Sequence, residues 1–86
     1  MLGTLQVIRD RTRLNDSYKR VFDSPDGRIV LAHLCKVNHV FTSTFVAGDS
    51  HQTALHEGQR RLVLSIMRQL NVDINQLEKI AQEISE

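Results

Sequence analysis

Between Thr53 and Leu70 the chain reads TALHEGQRRLVLSIMRQL, and the apolar residues in this stretch recur at the helical period rather than the strand period. Leu55, Leu62, Val63, Ile66, Met67 and Leu70 fall on one broad arc, with Gly58 at its edge. A helix with so wide an apolar face must bury it against other helices, which restricts the chain to a packed helical architecture. A glycine inside a helix costs about 1 kcal/mol relative to alanine, and such a cost is usually offset by close approach of another backbone. Gly58 is therefore assigned a close helix crossing. Glu57 and Arg61 are spaced for a favourable i,i+4 ion pair on the opposite side.

The rest of the 86 residues can build one small core. Hydrophobic residues make up 41% and charged residues 24%, the balance of a folded domain rather than a disordered tail. No apolar run approaches the length of a membrane span, and the first ten residues lack a secretory apolar region. Synthesis in the cytoplasm is the corresponding expectation. The single cysteine, Cys35, sits in an apolar helical run and reads as a small hydrophobe. Net charge is only +1, but residues 1–22 sum to +3 and residues 71–86 to −3, so the two ends suit different partners or each other.

Three further helices follow from punctuation and period. The first runs from about Leu5 to Phe22 with Val7, Ile8, Leu14, Tyr18, Val21 and Phe22 on one arc. Asn15 and Asp16 are also good cap residues, which leaves residues 1–14 the alternative of a looser basic arm. Ser24-Pro25-Asp26-Gly27 starts the second helix, with serine as cap and proline preset at the first helical position. Val30, Leu31, Leu34 and Val37 form its expected buried arc. His39 to Asp49 is β-branched and aromatic and reads as a structured loop whose Phe41, Phe45 and Val46 plug the core, a short strand being the alternative. Asp49, with Gln52 three residues on, opens the long third helix. Asp73 opens a fourth, striped by Ile74, Leu77, Ile80, Ala81 and Ile84, and the two-residue connection predicts that it folds back on helix three.

Catalytic or metal chemistry finds little footing. Cys35 and His39 have the i,i+4 spacing of two ligands on one helical face, but His33, His51 and His56 do not complete the set. No nucleophile on a strained turn, paired carboxylates or phosphate cradle is present. Asp23 and Asp26 suit a helix N-terminus instead. No cofactor is implied, and a non-enzymatic protein is expected. Two surfaces stand out. Arg9, Arg13 and Arg20 align into a basic ridge that suits phosphates or an acidic protein surface, although no aromatic platform accompanies it. Leu64, among Arg60, Glu57 and Arg68, and Ile29, beside Lys36 and His33, lie outside the expected buried arcs. Together with Phe41 and Phe45 they mark a candidate protein-contact patch.

The segments YKRVFDSPDGRIVLAHLCK (18–36) and TFVAGDSHQTALHEGQRRLVLSIMRQL (44–70) resemble a small domain family encoded by tailed bacteriophages and prophages. That family has a Tyr-x-x-Val-Phe helix, a Ser/Thr-Pro-x-Gly-Arg turn and a helix bearing Glu-Gly followed by arginine. The matching positions are Tyr18, Val21, Phe22, Pro25, Gly27, Arg28, Asp49, Glu57, Gly58 and Arg61. The resemblance implies virion structure or head assembly, because members are commonly encoded among head genes, and it brings no catalytic residue with it.

The combined expectation is a single all-α domain, a compact bundle of three to four helices, with helices two and three antiparallel around Leu31, Leu34, Leu55, Leu62 and Ile66. Its partners are expected to be other phage structural proteins or a second copy of itself, with the virion as a destination. The rival readings are a nucleic-acid-binding packaging accessory using the basic ridge and a phage effector that binds a host protein.

Overall fold

The computed structural model describes residues 4–84, with side chains from Arg9 onward. Val7 and Ile8, assigned to the first apolar arc, have side chains outside the described residues. Four helices follow one another: α1 (Thr4–Phe22), α2 (Pro25–Val37), α3 (Ser50–Leu70) and α4 (Ile74–Glu83). Among the described residues there is no strand, so the fold class is all-α and the 38–49 segment is a loop. Asn15 and Asp16 lie inside an unbroken α1 and cap nothing, and the side chains of residues 9–16 are all exposed.

The start of α2 follows the sequence closely. Ser24 accepts a hydrogen bond from the Gly27 amide at 2.9 Å, and Pro25 occupies the first turn where it forfeits no bond. Asp49 likewise accepts from the Gln52 amide at 2.9 Å, and Asp73 from the Asn75 amide at 2.9 Å. The helix ends use left-handed residues that are not glycine. His39 (φ 63°) and Val40, whose amide donates to the Cys35 carbonyl at 3.0 Å, close α2, and Val40 turns into the core. Asn71 (φ 52°) closes α3.

The core comprises Leu31, Ala32 and Cys35 of α2, Val40, then Val63, Met67 and Leu70 of α3, and Leu77 and Ala81 of α4. Tyr18 and Phe22 of α1 pack against it, their rings stacked with centroids 6.4 Å apart. α2 is the hub, contacting each of the other helices, most extensively α4. α4 therefore lies on α2, and its backbone does not come close to that of α3, contrary to the expected fold-back. The short connection sets proximity, but the left-handed turn at Asn71 sets direction, and the small side chains Ala32 and Cys35 leave α2 the face a helix can approach closely.

The buried arcs differ from those expected for the same reason. On α2 the covered side centres on Leu31, Ala32 and Cys35, leaving Val30 and Val37 exposed. On α3 it centres on Val63, Met67 and Leu70, so Leu55 (55% exposed) and Leu62 (66%) stand outside the core. Leu62 and Val63 are neighbours about 100° apart around a helix, and α3's neighbours cover less than its apolar arc. Leu14, Val21 and Ile74 are exposed in the same way, and Phe45 (72%) does not plug the core, whereas Phe41 packs against it. Leu64 is half-buried against the core rather than free of it.

The close crossing belongs to Gly27, not Gly58. A Cβ on Gly27 would sit 2.6 Å from Phe22 Cα and nearer still to the Val21 carbonyl oxygen, so α1 and α2 meet backbone to backbone there. A Cβ on Gly58 would meet nothing within 4 Å. Gly27→Ala is expected to destabilise by about 1–3 kcal/mol through forced separation of the two helices. Gly58→Ala is expected to stabilise the single chain by up to about 1 kcal/mol. Urea denaturation in dilute solution checks both, and equal effects at the two glycines would refute the assignment.

Candidate partner-binding surfaces

Three groups of side chains outside the core have the character of contact sites. The first is the basic ridge. Arg9, Arg13 and Arg20 are all exposed on α1, and Arg20 Nη2 donates to Ser17 Oγ at 3.3 Å, whose own hydroxyl donates to the Arg13 carbonyl at 2.9 Å. This local chain stiffens one turn without withdrawing the guanidinium charges from solvent. Nearby, Arg28 is paired with the Asp23 carboxylate across the start of α2, while its Nη1 is buried with no hydrogen-bond partner. Asp23 thus anchors an arginine at the α1–α2 turn in addition to suiting a helix N-terminus.

The second group was not legible in the sequence. His39, thrown off α2 by its left-handed backbone, stacks on His56 of α3 with ring centroids 4.0 Å apart and planes at 23°. His56 Nδ1 lies 3.3 Å from the Thr44 carbonyl, to which it donates, and Nε2 lies 2.9 Å from the Gln52 side-chain amide. Thr44 Oγ1 donates to Glu57 Oε1 at 2.7 Å, and the Val46 amide donates to Thr53 Oγ1 at 2.9 Å. Glu57 is therefore engaged by the loop, and no Glu57–Arg61 ion pair forms. These bonds strap residues 39–46 onto the first three turns of α3, whose covered side is polar there. The metal reading of Cys35 with His39 fails on geometry, since the thiol faces Met67 Sδ at 3.7 Å and the imidazole faces His56. Among the described residues no three His, Cys, Asp or Glu side chains gather as metal ligands.

The third group is apolar. Strapping the loop leaves Phe45 outward, beside Ala54 in a shallow hollow at the start of α3. Leu55 and Leu62, seven residues apart on α3, continue on the exposed side of that helix. On α1, Leu14 and Val21 share a nearly wholly apolar hollow with Tyr18 and Phe22. Ile29 is exposed on α2 as expected. Leu64 instead lines a hollow with Met67, Arg68, Asn71 and Val72, and Phe41 one with Lys36, Thr42 and Ala81. Of the four apolar candidates read from sequence, Ile29 and Phe45 are exposed, while Leu64 and Phe41 are half-buried and far less available. Leu55, Leu62, Leu14 and Val21, assigned to the interior, are each more than half exposed.

No helix among the described residues is long and apolar enough to cross a membrane. A family model described as Bbp19-like phage protein matches residues 18–82, from the last turn of α1 to the end of α4. No curated protein and no solved structure matches the chain.

Cys35 is fully enclosed, and burial pushes its thiol from 9.0 up to about 11. A proton held more tightly in the folded than in the unfolded chain adds stability below the unfolded value, and that stability is lost as pH rises from about 9 towards 11. The melting temperature is expected to fall across this window in the native chain and to fall less in Cys35→Ala, as differential scanning calorimetry would measure. Parallel pH profiles would contradict the burial of the thiol.

Proposed function

We propose that this chain, which belongs to the Bbp19-like phage protein family, acts without catalysis, as a docking component of the phage particle or of its head assembly. The observation that carries the reading is the amount of large apolar surface left open on a chain with so small a core. Leu14, Val21, Leu55, Leu62 and Phe45 are each more than half exposed. Isolated exposed apolar residues are ordinary, but several large ones on so small a domain, two of them in one hollow on α1 and two on one side of α3, suit protein contacts. The strapped 38–49 loop supports the same reading, because it presents Phe45 on a held backbone and so lowers the ordering cost of binding.

A second reading rests on the ridge of Arg9, Arg13 and Arg20, whose charges stay in solvent and suit phosphates along packaged DNA. The two are separable. Mass spectrometry of particles purified from a phage carrying this gene is expected to find the chain at a fixed copy number. Its absence from particles and from capsid precursors, together with DNA retention that falls steeply with salt and is lost in Arg13→Glu/Arg20→Glu, would replace the first reading by the second.

A further inference from the structure

The exposed side of α3 has a symmetry that the family assignment does not supply. Leu55 lies three residues before Gly58 and Leu62 four residues after it, so the face reads almost alike in both directions. An antiparallel copy of the same helix, related by a two-fold axis between positions 58 and 59, brings Leu55 opposite Leu62 of the second copy and Leu62 opposite its Leu55. Such a contact is isologous: one patch serves both sides and the assembly closes at two. Gly58 then lies beside the axis, where the opposing helix comes nearest. Within one chain this glycine carries a helix-propensity cost with nothing in return, since no atom lies near its missing side chain.

The surface area agrees with a missing partner. The chain exposes 6436 Å², against roughly 5,200 Å² for a compact monomer of 9.8 kDa. Its radius of gyration is 15.8 Å, against about 12 Å for a compact chain of this length. The surplus of roughly 1,200 Å² is spread over the whole elongated chain, the exposed first half of α1 included, and an interface on α3 would cover about 800 Å² per partner. Phe45, beside Ala54 at one end of the helix, extends the patch towards the C-terminal half of the opposing α3.

We propose that two copies of this chain associate through an antiparallel α3–α3 contact, centred beside Gly58 and built on Leu55 against Leu62 of the second copy. This goes beyond the docking role and does not depend on it, since self-association is read on the isolated chain whether or not it enters a particle. Sedimentation equilibrium of the full chain is expected to give twice its formula mass, and a monomer at about 100 µM would overturn the proposal. Gly58→Gln places a side chain where its own chain offers no obstacle. It should therefore keep the native circular dichroism while weakening association by more than about tenfold. An unchanged dissociation constant in this variant and in Leu62→Asp would move the contact off α3. Orientation is read by oxidation: Leu55→Cys/Leu62→Cys is expected to cross-link between copies while Leu62→Cys alone is not. Cross-linking of the single variant would mean a parallel pair and would also overturn the proposal.

Discussion

The backbone contact between α1 and α2 at Gly27 is the constraint from which the remaining packing follows. Two helices that touch without an intervening side chain have little freedom in distance or angle, and here the touch occurs within five residues of the end of α1. Ser24 and Pro25 start α2 at a defined point, Asp23 and Arg28 brace the turn, and Gly27 lets the two backbones meet. The orientation thereby given to α2 decides which of its side chains are covered, and α2 is the helix that every other one contacts.

Small side chains extend the same logic through the core. Ala32, Cys35 and Ala81 are fully or almost fully buried, so α2 can be approached closely along much of its length. The large core side chains, Leu31, Val63, Met67, Leu70 and Leu77, fill the space around these close approaches. Lys36 Nζ reaches the Ile84 carbonyl at 3.3 Å, placing a positive charge at the C-terminal end of α4, where the helix dipole favours it. α3 packs more extensively on α1 than on α2, and apolar groups cover its C-terminal half while the polar loop covers its N-terminal half. Leu55, Gly58 and Leu62 are left exposed.

The proposed docking role draws on that exposed side. A domain this small cannot surround a 21-residue helix, and α3 is longer than the core it serves. What a larger protein would bury internally, this one presents outward, on a helix stiffened by its cap and by the straps from Thr44, Val46 and His39. A rigid apolar helix face with a held loop at one end is suited to binding by docking, with little ordering required of the chain itself.

Helix number, helix starts and fold class were legible in the residues alone, because capping and periodicity are local. Ser24-Pro25, Asp49 and Asp73 each place their own hydrogen bond within three residues, and no distant contact can move it. The side of each helix that is buried was not legible, because apolar residues on α2 and α3 cover a wider arc than their neighbours do, and the neighbours are chosen by geometry elsewhere. Leu55, Leu62, Val30 and Val37 were assigned to the interior for their size, whereas the tertiary structure buries Ala32, Cys35 and Gly27 for their smallness. The stacking of His39 on His56 depends on a left-handed histidine that no propensity announces. Sequence by itself determined where α2, α3 and α4 begin; only tertiary structure decided which flank of each is wet, since that is settled by how closely backbones can approach and not by how oily a side chain is.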